Sequence, residues 1–176
     1  MLYPVEFNAA DITIVDRGEV ADMLARDIMD TWFHSIHPGD TIADAVKTFQ
    51  KASHAEKKSI FGLMVTDDND HLVGMLSMYD ILLFVQPKHT QIWGEMEDLD
   101  PDQLFGERLE RVKKIQVQDI MSIDVITVSP DTHILIIVDI MIKKHIRRIP
   151  VIENREVVGI IYRSAVFYHL LNKFVT

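Results

Sequence analysis

The chain has 176 residues, of which 48% are hydrophobic and 26% charged, the composition of a globular protein that can bury a core. Its formal net charge of −9 argues against broad binding to nucleic acid or to an anionic membrane, because phosphate repels an acidic surface. The absence of cysteine excludes disulfides, thiolate metal sites and thiol catalysis. No apolar stretch approaches the roughly 18 residues of a spanning helix, and no secretory signal is visible. We therefore expect a cytoplasmic protein.

Two parts of the sequence repeat each other. Asp27-Ile28-Met29 recurs 92 positions later as Asp119-Ile120-Met121, and Pro38 recurs as Pro130 at the same offset. One helical face recurs as well, with apolar residues at i, i+3, i+4 and i+7. These residues are Ile42, Ala45, Val46 and Phe49 in the first copy and Ile134, Ile137, Val138 and Met141 in the second. The pattern predicts an extension at 1–19, one copy at 20–86, an acidic linker with a short helix at 87–114, and a second copy at 115–176.

The first copy and the linker contain recognisable turn and helix signals. The first copy has about six more residues than the second around 51–58 and one more at 67–70. The acidic run at 67–70 predicts a hairpin turn, because the ligand spacing and terminal glutamate of a calcium loop are absent. In the linker, Asp100-Pro101 with Gln103 predicts a helix N-terminus, followed by Phe105, Leu109 and Val112 on one face.

Each copy is predicted to contain a strand, a helix, two strands and a helix. In the second copy, the first strand is predicted at 125–128 and the first helix from 130 to about 144. Two further strands are predicted at 148–152 and 157–162, joined by a turn at 153–155, with a last helix at 164–172. The pattern predicts a mixed α/β (α+β) fold.

The order of these motifs resembles tandem cystathionine-β-synthase (CBS) domains, a pair called a Bateman module. The resemblance rests on Asp-Ile-Met, Val-Ile-Thr-Val-Ser-Pro, Arg-Arg-Ile-Pro-Val-Ile and Val-Val-Gly-Ile-Ile in this order, and it covers about 20–86 and 115–174. It implies two pseudosymmetric β-α-β-β-α repeats packed as one module, often dimerised, with adenine nucleotides often bound in clefts between the repeats. Such modules occur alone or fused to enzymes, channels and kinases, so this chain would act through a separate effector protein.

The resemblance assigns the ribose to the first copy. The segment from Gly74 to Asp80 matches the family element Gly-h-h-Ser/Thr-x-x-Asp, where h is apolar. An ionised Asp80 offers two acceptor oxygens, which suit the two ribose hydroxyls. Ser77, at the strand-to-helix turn, would offer a hydroxyl close to free backbone N–H groups. The other interpretation is structural, because Ser-x-x-Asp is also a plain helix-capping pattern.

The resemblance assigns the adenine and the phosphate mainly to the second copy. Val125 and Ile126 match positions that pack on the adenine ring, and Met75 matches one on its other side. Arg147 and Arg148 stand where the family places basic pairs, and a guanidinium can hold phosphate oxygens bidentately. Adjacent residues on a regular strand point to opposite faces, so we favour Arg148.

Two other interpretations apply to the basic residues Lys143, Lys144, Arg147 and Arg148. This basic run could be a solvated helix end, or a nuclear-localisation or nucleic-acid patch, and the acidic remainder of the chain disfavours the patch.

The pseudosymmetric second site should be impaired, so we expect one nucleotide per chain. Its counterparts of Asp80, Ser77, Arg147 and Arg148 are Ala165, Tyr162, Phe61 and Gly62. Arg163 is a weaker ligand candidate, for which a surface role is favoured.

The sequence offers little support for catalysis, since phosphate-loop and nucleophile-elbow motifs are absent. His34 and His37, three apart in an extended segment, would face opposite sides, so we expect neither a metal site nor a catalytic cofactor. The sequence thus predicts a regulatory module that senses AMP, ADP or ATP. Two alternatives remain: a ligand-free interaction adaptor that docks through the linker, and a sensor of S-adenosylmethionine. S-adenosylmethionine carries a cation where a nucleotide carries phosphate, and the positive charges of Arg147 and Arg148 disfavour it.

Overall fold

The computed structural model describes residues 22–57, 59–85 and 101–171, with side chains from residue 106 onward in the last range. The predicted extension at 1–19, the first half of the linker (87–100) with the cap at Asp100, and the side chain of Phe105 lie outside the described residues. No helix in these ranges is long and apolar enough to cross a membrane.

The first copy follows the predicted order of elements. These are α1 (Ala25–Ile28), β1 (Ser35–Ile36), α2 (Ile42–Glu56), β2 (Gly62–Thr66), β3 (Leu72–Ser77) and α3 (Met78–Val85). Helix α2 begins after Thr41, whose side chain accepts a hydrogen bond from the Asp44 N–H, and ends at Lys57 in the left-handed conformation (φ 51°). It has 15 residues where its counterpart in the second copy has 11, so the extra residues of this copy mainly lengthen a helix.

The linker helix and the second copy complete the described chain. The elements are α4 (Pro101–Val112), a 3₁₀ turn (Val117–Asp119), α5 (Ile134–Lys144), β4 (Arg148–Glu153), β5 (Glu156–Tyr162) and α6 (Arg163–Leu171). The predicted linker helix is present as α4. Its buried Val112 belongs to the first core, and Leu109 packs against that core.

Two predictions for the second copy are wrong. The strand at 125–128 is reduced to an isolated parallel bridge between Val128 and Val151. Only Val128 pairs there: its N–H bonds the Pro150 carbonyl at 3.1 Å, and its carbonyl accepts from Ile152 at 2.9 Å. The helix begins at Ile134 rather than at 130, because a turn precedes it, closed by the Thr132 N–H and the Ser129 carbonyl at 3.0 Å.

The strands form one small sheet in each copy. In the first, β1 pairs parallel with β2 and β2 antiparallel with β3; in the second, β4 pairs antiparallel with β5. The predicted hairpin turn after β2 is confirmed: Asp67 Oδ1 accepts from the N–H groups of Asn69 and His71, both at 2.9 Å. The turn predicted after β4 has Asn154 and Arg155 at positive φ, 51° and 74°, as a type I′ hairpin requires.

Each copy contributes to the core of the other. The first core includes Val117 from the 3₁₀ turn, and the second includes Ala25 and Ile28 from α1. Backbone hydrogen bonds hold both segments: the Ala25 N–H donates to the Thr132 carbonyl and the Val117 N–H to the Asp40 carbonyl, each at 2.8 Å. The leading segments of the two copies are therefore exchanged.

The exchange explains why methionine and glycine recur in both copies. Met121 lies against Gly74, and Met29 lies against Gly159. A Cβ at Gly74 would be 2.6 Å from the Met121 sulfur, and one at Gly159 would be 2.8 Å from the Met29 sulfur, closer than real contacts allow. Each glycine thus lets the opposite copy approach its strand.

Candidate functional site

All seven ligand residues predicted from the sequence line one cavity of about 470 Å³ between the two copies. They are Met75, Ser77, Asp80, Val125, Ile126, Arg147 and Arg148. The same cavity is lined by residues that the sequence did not single out: Tyr79, Ser122, Asp124, His145 and Ile146. A volume of this size falls within the roughly 300–1,000 Å³ typical of small-molecule sites.

Ser77 and Asp80 cap helix α3 reciprocally. The Ser77 N–H and hydroxyl donate to Asp80 Oδ2 at 2.7 and 2.5 Å, and the Asp80 N–H donates to Ser77 Oγ at 3.2 Å. This is a capping box. The interpretation of Ser-x-x-Asp as a helix cap is therefore confirmed. Both bonds to the carboxylate use Oδ2, and the side chain also lines the cavity.

The apolar wall of the cavity comes from both copies. Met75 and Ser122 exchange two backbone hydrogen bonds of 2.9 Å, which fix the second copy beside β3. A tight turn follows around Asp124, where the Val125 N–H donates to the Ile123 carbonyl at 2.9 Å. The half-buried Val125 and Ile126 then line the cavity together with Met75. Two apolar surfaces thus enclose the same space, although 125–128 is not a strand.

Both arginines line the cavity. Strand β4 begins at Arg148, and Arg147 precedes it in a bend. The Arg147 carbonyl accepts a hydrogen bond from the Arg163 N–H at 2.9 Å. Side chains alternate between faces only within a regular strand. The alternation of strand side chains, which favours Arg148, therefore does not exclude Arg147 from the site, because the backbone is irregular at Arg147.

Arg148 is held against the other copy in an unusual environment. A Cβ built on Gly62 would lie 1.6 Å from Arg148 Nη1 and 2.7 Å from its Cζ. Nη1 is buried and, within the described ranges, has no hydrogen-bond partner. Burial lowers the pKa of the Arg148 guanidinium, while Tyr162 and Asp80 act in the opposite direction. Because arginine keeps its proton in proteins, this is a partly buried cation with an unsatisfied donor.

Sequence reasoning missed the role of Gly62. The alignment of the copies predicts only that Gly62 supplies no cation to the second site, whereas Gly62 also gives the Arg148 guanidinium the space that it occupies. A signal was available in the repeat itself. Gly62 and Arg148 are counterparts, and counterparts near a pseudo-twofold axis face each other.

The two histidines considered for a metal lie with different carboxylates. His34 contacts Glu56, and His37 Nε2 lies 3.2 Å from Asp68 Oδ1. Among the described residues, no cluster of three or more His, Asp or Glu could hold a metal ion.

A model of the CBS domain family matches residues 25–86 and 117–172. The chain belongs to the CBS domain family. The model matches once within each copy, so the exchanged segments and the cavity belong to a tandem CBS pair.

Known CBS proteins share the fold over most of this chain. The CBS domain of a CBS domain-containing membrane protein from Sphaerobacter thermophilus is 26% identical, with a TM-score of 0.66 over 84% of this chain and 88% of that one. MJ0100, solved with 5′-methylthioadenosine and S-adenosyl-L-methionine, is 23% identical with a TM-score of 0.61, covering 86% and 98%. CBSX2 of Arabidopsis thaliana, solved with AMP, has the same identity, TM-score and coverage.

A curated relative is the uncharacterised protein MJ1232 of Methanocaldococcus jannaschii. It is 28% identical over 148 residues, which are 84% of this chain. The chain spans only 38% of the length of MJ1232.

Proposed function

We propose that this CBS pair is a regulatory module that binds an adenine nucleotide, AMP, ADP or ATP, between its repeats and acts through a separate effector protein. One observation carries the proposal: the seven residues predicted from the sequence line a single cavity. Relatives of the same fold support an adenosyl ligand, since MJ0100 was solved with 5′-methylthioadenosine and S-adenosyl-L-methionine and CBSX2 with AMP. No catalytic step is part of this role.

In the proposed complex each part of the ligand meets a matching surface. The adenine packs between Met75 and the pair Val125 and Ile126, whose contacts are apolar. The ribose hydroxyls donate to Asp80, and the phosphate accepts from Arg147 and Arg148. Arg148 lines the cavity, so its guanidinium can donate to a phosphate oxygen, and such charge-assisted bonds contribute about 1.5–3 kcal/mol each.

The same arginines favour a nucleotide over S-adenosylmethionine. That ligand places a sulfonium cation where the nucleotide places phosphate. Arg148 is partly desolvated, and the attraction or repulsion between charges grows as water is removed. Like charges would therefore oppose each other at this end of the cavity.

Binding would act by shifting a population. A ligand that contacts Asp80 in one repeat and Arg148 in the other stabilises the arrangement in which both lie within reach. It moves the equilibrium only by the difference in its affinity for the two arrangements. The Asp80 cap contributes to this difference in affinity, since a ribose hydroxyl competes with Ser77 for the same carboxylate.

Calorimetric titration with AMP, ADP, ATP, GMP and S-adenosylmethionine tests the proposal. We expect saturable adenine-nucleotide binding at one per chain, lost in Asp80→Ala. The matched control is Asp139→Ala, which removes an exposed helical carboxylate paired with Lys143 at 2.9 Å, outside the cavity. Two nucleotides per chain would contradict the impaired second site, and no binding by the wild type would contradict the sensor.

The alternative function is a ligand-free interaction adaptor, which exposed apolar side chains on α3 and α6 favour. Leu82 and Leu83 are 63% and 49% exposed, and Phe167 and Tyr168 are 55% and 60% exposed. We also propose that exposed apolar side chains of these helices serve a homodimer of the module. Asp80→Ala separates the two functions, because it abolishes nucleotide binding but leaves an adaptor's partner binding unchanged.

A further inference from the structure

A second cavity, of about 540 Å³, adjoins the first. Four residues line both cavities: Ser77, Tyr79, Arg147 and Arg148. The shared arginines therefore stand at the junction of the two spaces. A ligand group held by them in the first cavity can continue into the second.

The second cavity has charge of one sign. Arg163 joins Arg147 and Arg148 in its lining, and none of the described residues that line it carries a carboxylate. The first cavity contains Asp80 and Asp124 as well as the arginines. The electrostatic potential should therefore be more positive in the second cavity than in the first, and this favours a polyanionic group in the second.

Two helices begin at the second cavity. Met78 and Arg163, the first residues of α3 and α6, both line it, so the positive ends of both helix dipoles lie there. In α3 the Asp80 carboxylate offsets this end. In α6 the counterpart of Asp80 is Ala165, which has no charge. The hydroxyl of Ser164 adds a neutral donor to the lining.

Ala165 affects this space as well as the second ribose site. Because alanine stands where the first copy has the Asp80 carboxylate, no negative charge at this position repels phosphate. Arg163 is exposed to solvent, in keeping with a surface role, and it also lines this cavity.

We infer that the second cavity holds the terminal phosphates of a nucleotide whose adenosine occupies the first, so that the module selects ATP and ADP over AMP. This inference rests on the proposed function. Arg147 and Arg148 hold the phosphate nearest the ribose, and Arg163 contacts only the phosphates beyond it. AMP fills the first cavity and leaves the second without an anion.

The test compares AMP, ADP and ATP by calorimetry at constant ionic strength, with EDTA present so that no divalent cation screens the phosphates. We expect the wild type to bind ATP at least about tenfold more tightly than AMP, which is the effect of one good charge-assisted contact. Arg163→Gln should lower ATP affinity about tenfold and leave AMP affinity within about twofold. Arg155→Gln, which removes an exposed arginine from the β4–β5 turn, is the matched control for net charge and should change neither.

Two results would overturn the inference and leave the proposed function standing. One is equal affinity for AMP and ATP, with both lost in Asp80→Ala. The other is an Arg163→Gln variant that weakens AMP and ATP alike. Titration with inorganic tripolyphosphate separates the remaining case. Arg163-dependent binding of tripolyphosphate without any binding of AMP or ATP would support the anion cavity and refute the adenosine site; no binding of any of these would refute both.

Discussion

The guanidinium of Arg148 fills the space above the Cα of Gly62, its counterpart in the other repeat. This contact joins the two halves of the module at the point where the two cavities meet. The arginine proposed to hold phosphate is thus positioned by a residue of the opposite repeat.

The first prediction concerns this contact. Gly62→Ala should displace the Arg148 guanidinium, because the new Cβ would lie 1.6 Å from Nη1. We expect AMP and ATP to bind about tenfold more weakly, the cost of about one charge-assisted hydrogen bond, with adenosine affinity unchanged. Calorimetry with the three ligands measures this. The control is Gly106→Ala in α4, where an added Cβ meets nothing within 4 Å. Equal loss of adenosine and AMP affinity would show that Gly62 acts on the whole cavity instead.

The second prediction concerns the exchanged segments. Gly74→Ala and Gly159→Ala should each destabilise the protein by about 1–3 kcal/mol, because the added Cβ overpacks against Met121 or Met29. Chemical denaturation measures the change. Combining Gly74→Ala with Met121→Ala should cost less than the sum of the two single changes, since the shorter side chain vacates the contact. Additive costs would assign the destabilisation by Gly74→Ala to the Ser122 carbonyl, 3.0 Å from the new Cβ, instead of to Met121.

The third prediction separates the two roles of the capping box. Ser77→Ala removes the side-chain acceptor of the Asp80 N–H and should lower stability by about 0.5–2 kcal/mol. It leaves the Asp80 carboxylate in place, so we expect adenine-nucleotide affinity to fall less than tenfold. Asp80→Ala should lose both the cap and the binding. Thermal unfolding and calorimetry on the same preparations give both quantities, and equal loss of binding in the two variants would assign the ribose contact to Ser77.

The fourth prediction concerns pH. Hydrogen bonds from the backbone, first that of His71, hold the pKa of the Asp67 carboxyl below its usual value of 3.8. A lowered native pKa adds stability that is fully present above the unfolded pKa and is lost as the pH falls through the native pKa. The stability difference between wild type and Asp67→Ala should therefore shrink as the pH falls below 3.8. Urea denaturation at several pH values measures it. A difference that does not change with pH would assign the role of Asp67 to turn geometry alone.

Local patterns in the sequence predicted much of the fold, and the family resemblance pointed to seven of the twelve residues that line the candidate site. The repeated helical face from Ile42 to Phe49 and the hairpin at Asp67 are local signals, because they depend on spacing and turn chemistry. The segment 125–128 has the composition of a strand, but only Val128 finds a pairing partner. Pairing depends on contacts distant in sequence, which composition does not contain.

The exchange of leading segments and the seat at Gly62 could not be derived in the same way. Asp27-Ile28-Met29 gives no sign that Ile28 packs in the core of the other copy, because either core would bury it equally well. The role of Gly62 depends on a side chain 86 positions away in the sequence. Both features follow from how the copies meet, which only the structure describes.

The exchange has a consequence for the origin and assembly of the module. Each repeat lacks a piece of its own interior and takes it from the other, as two chains do in a symmetric dimer. The pair therefore has the geometry of a dimer of single repeats whose chains have become joined by the linker. Cutting the linker should yield two fragments that fold only when they meet, and the intact chain keeps them together at every concentration.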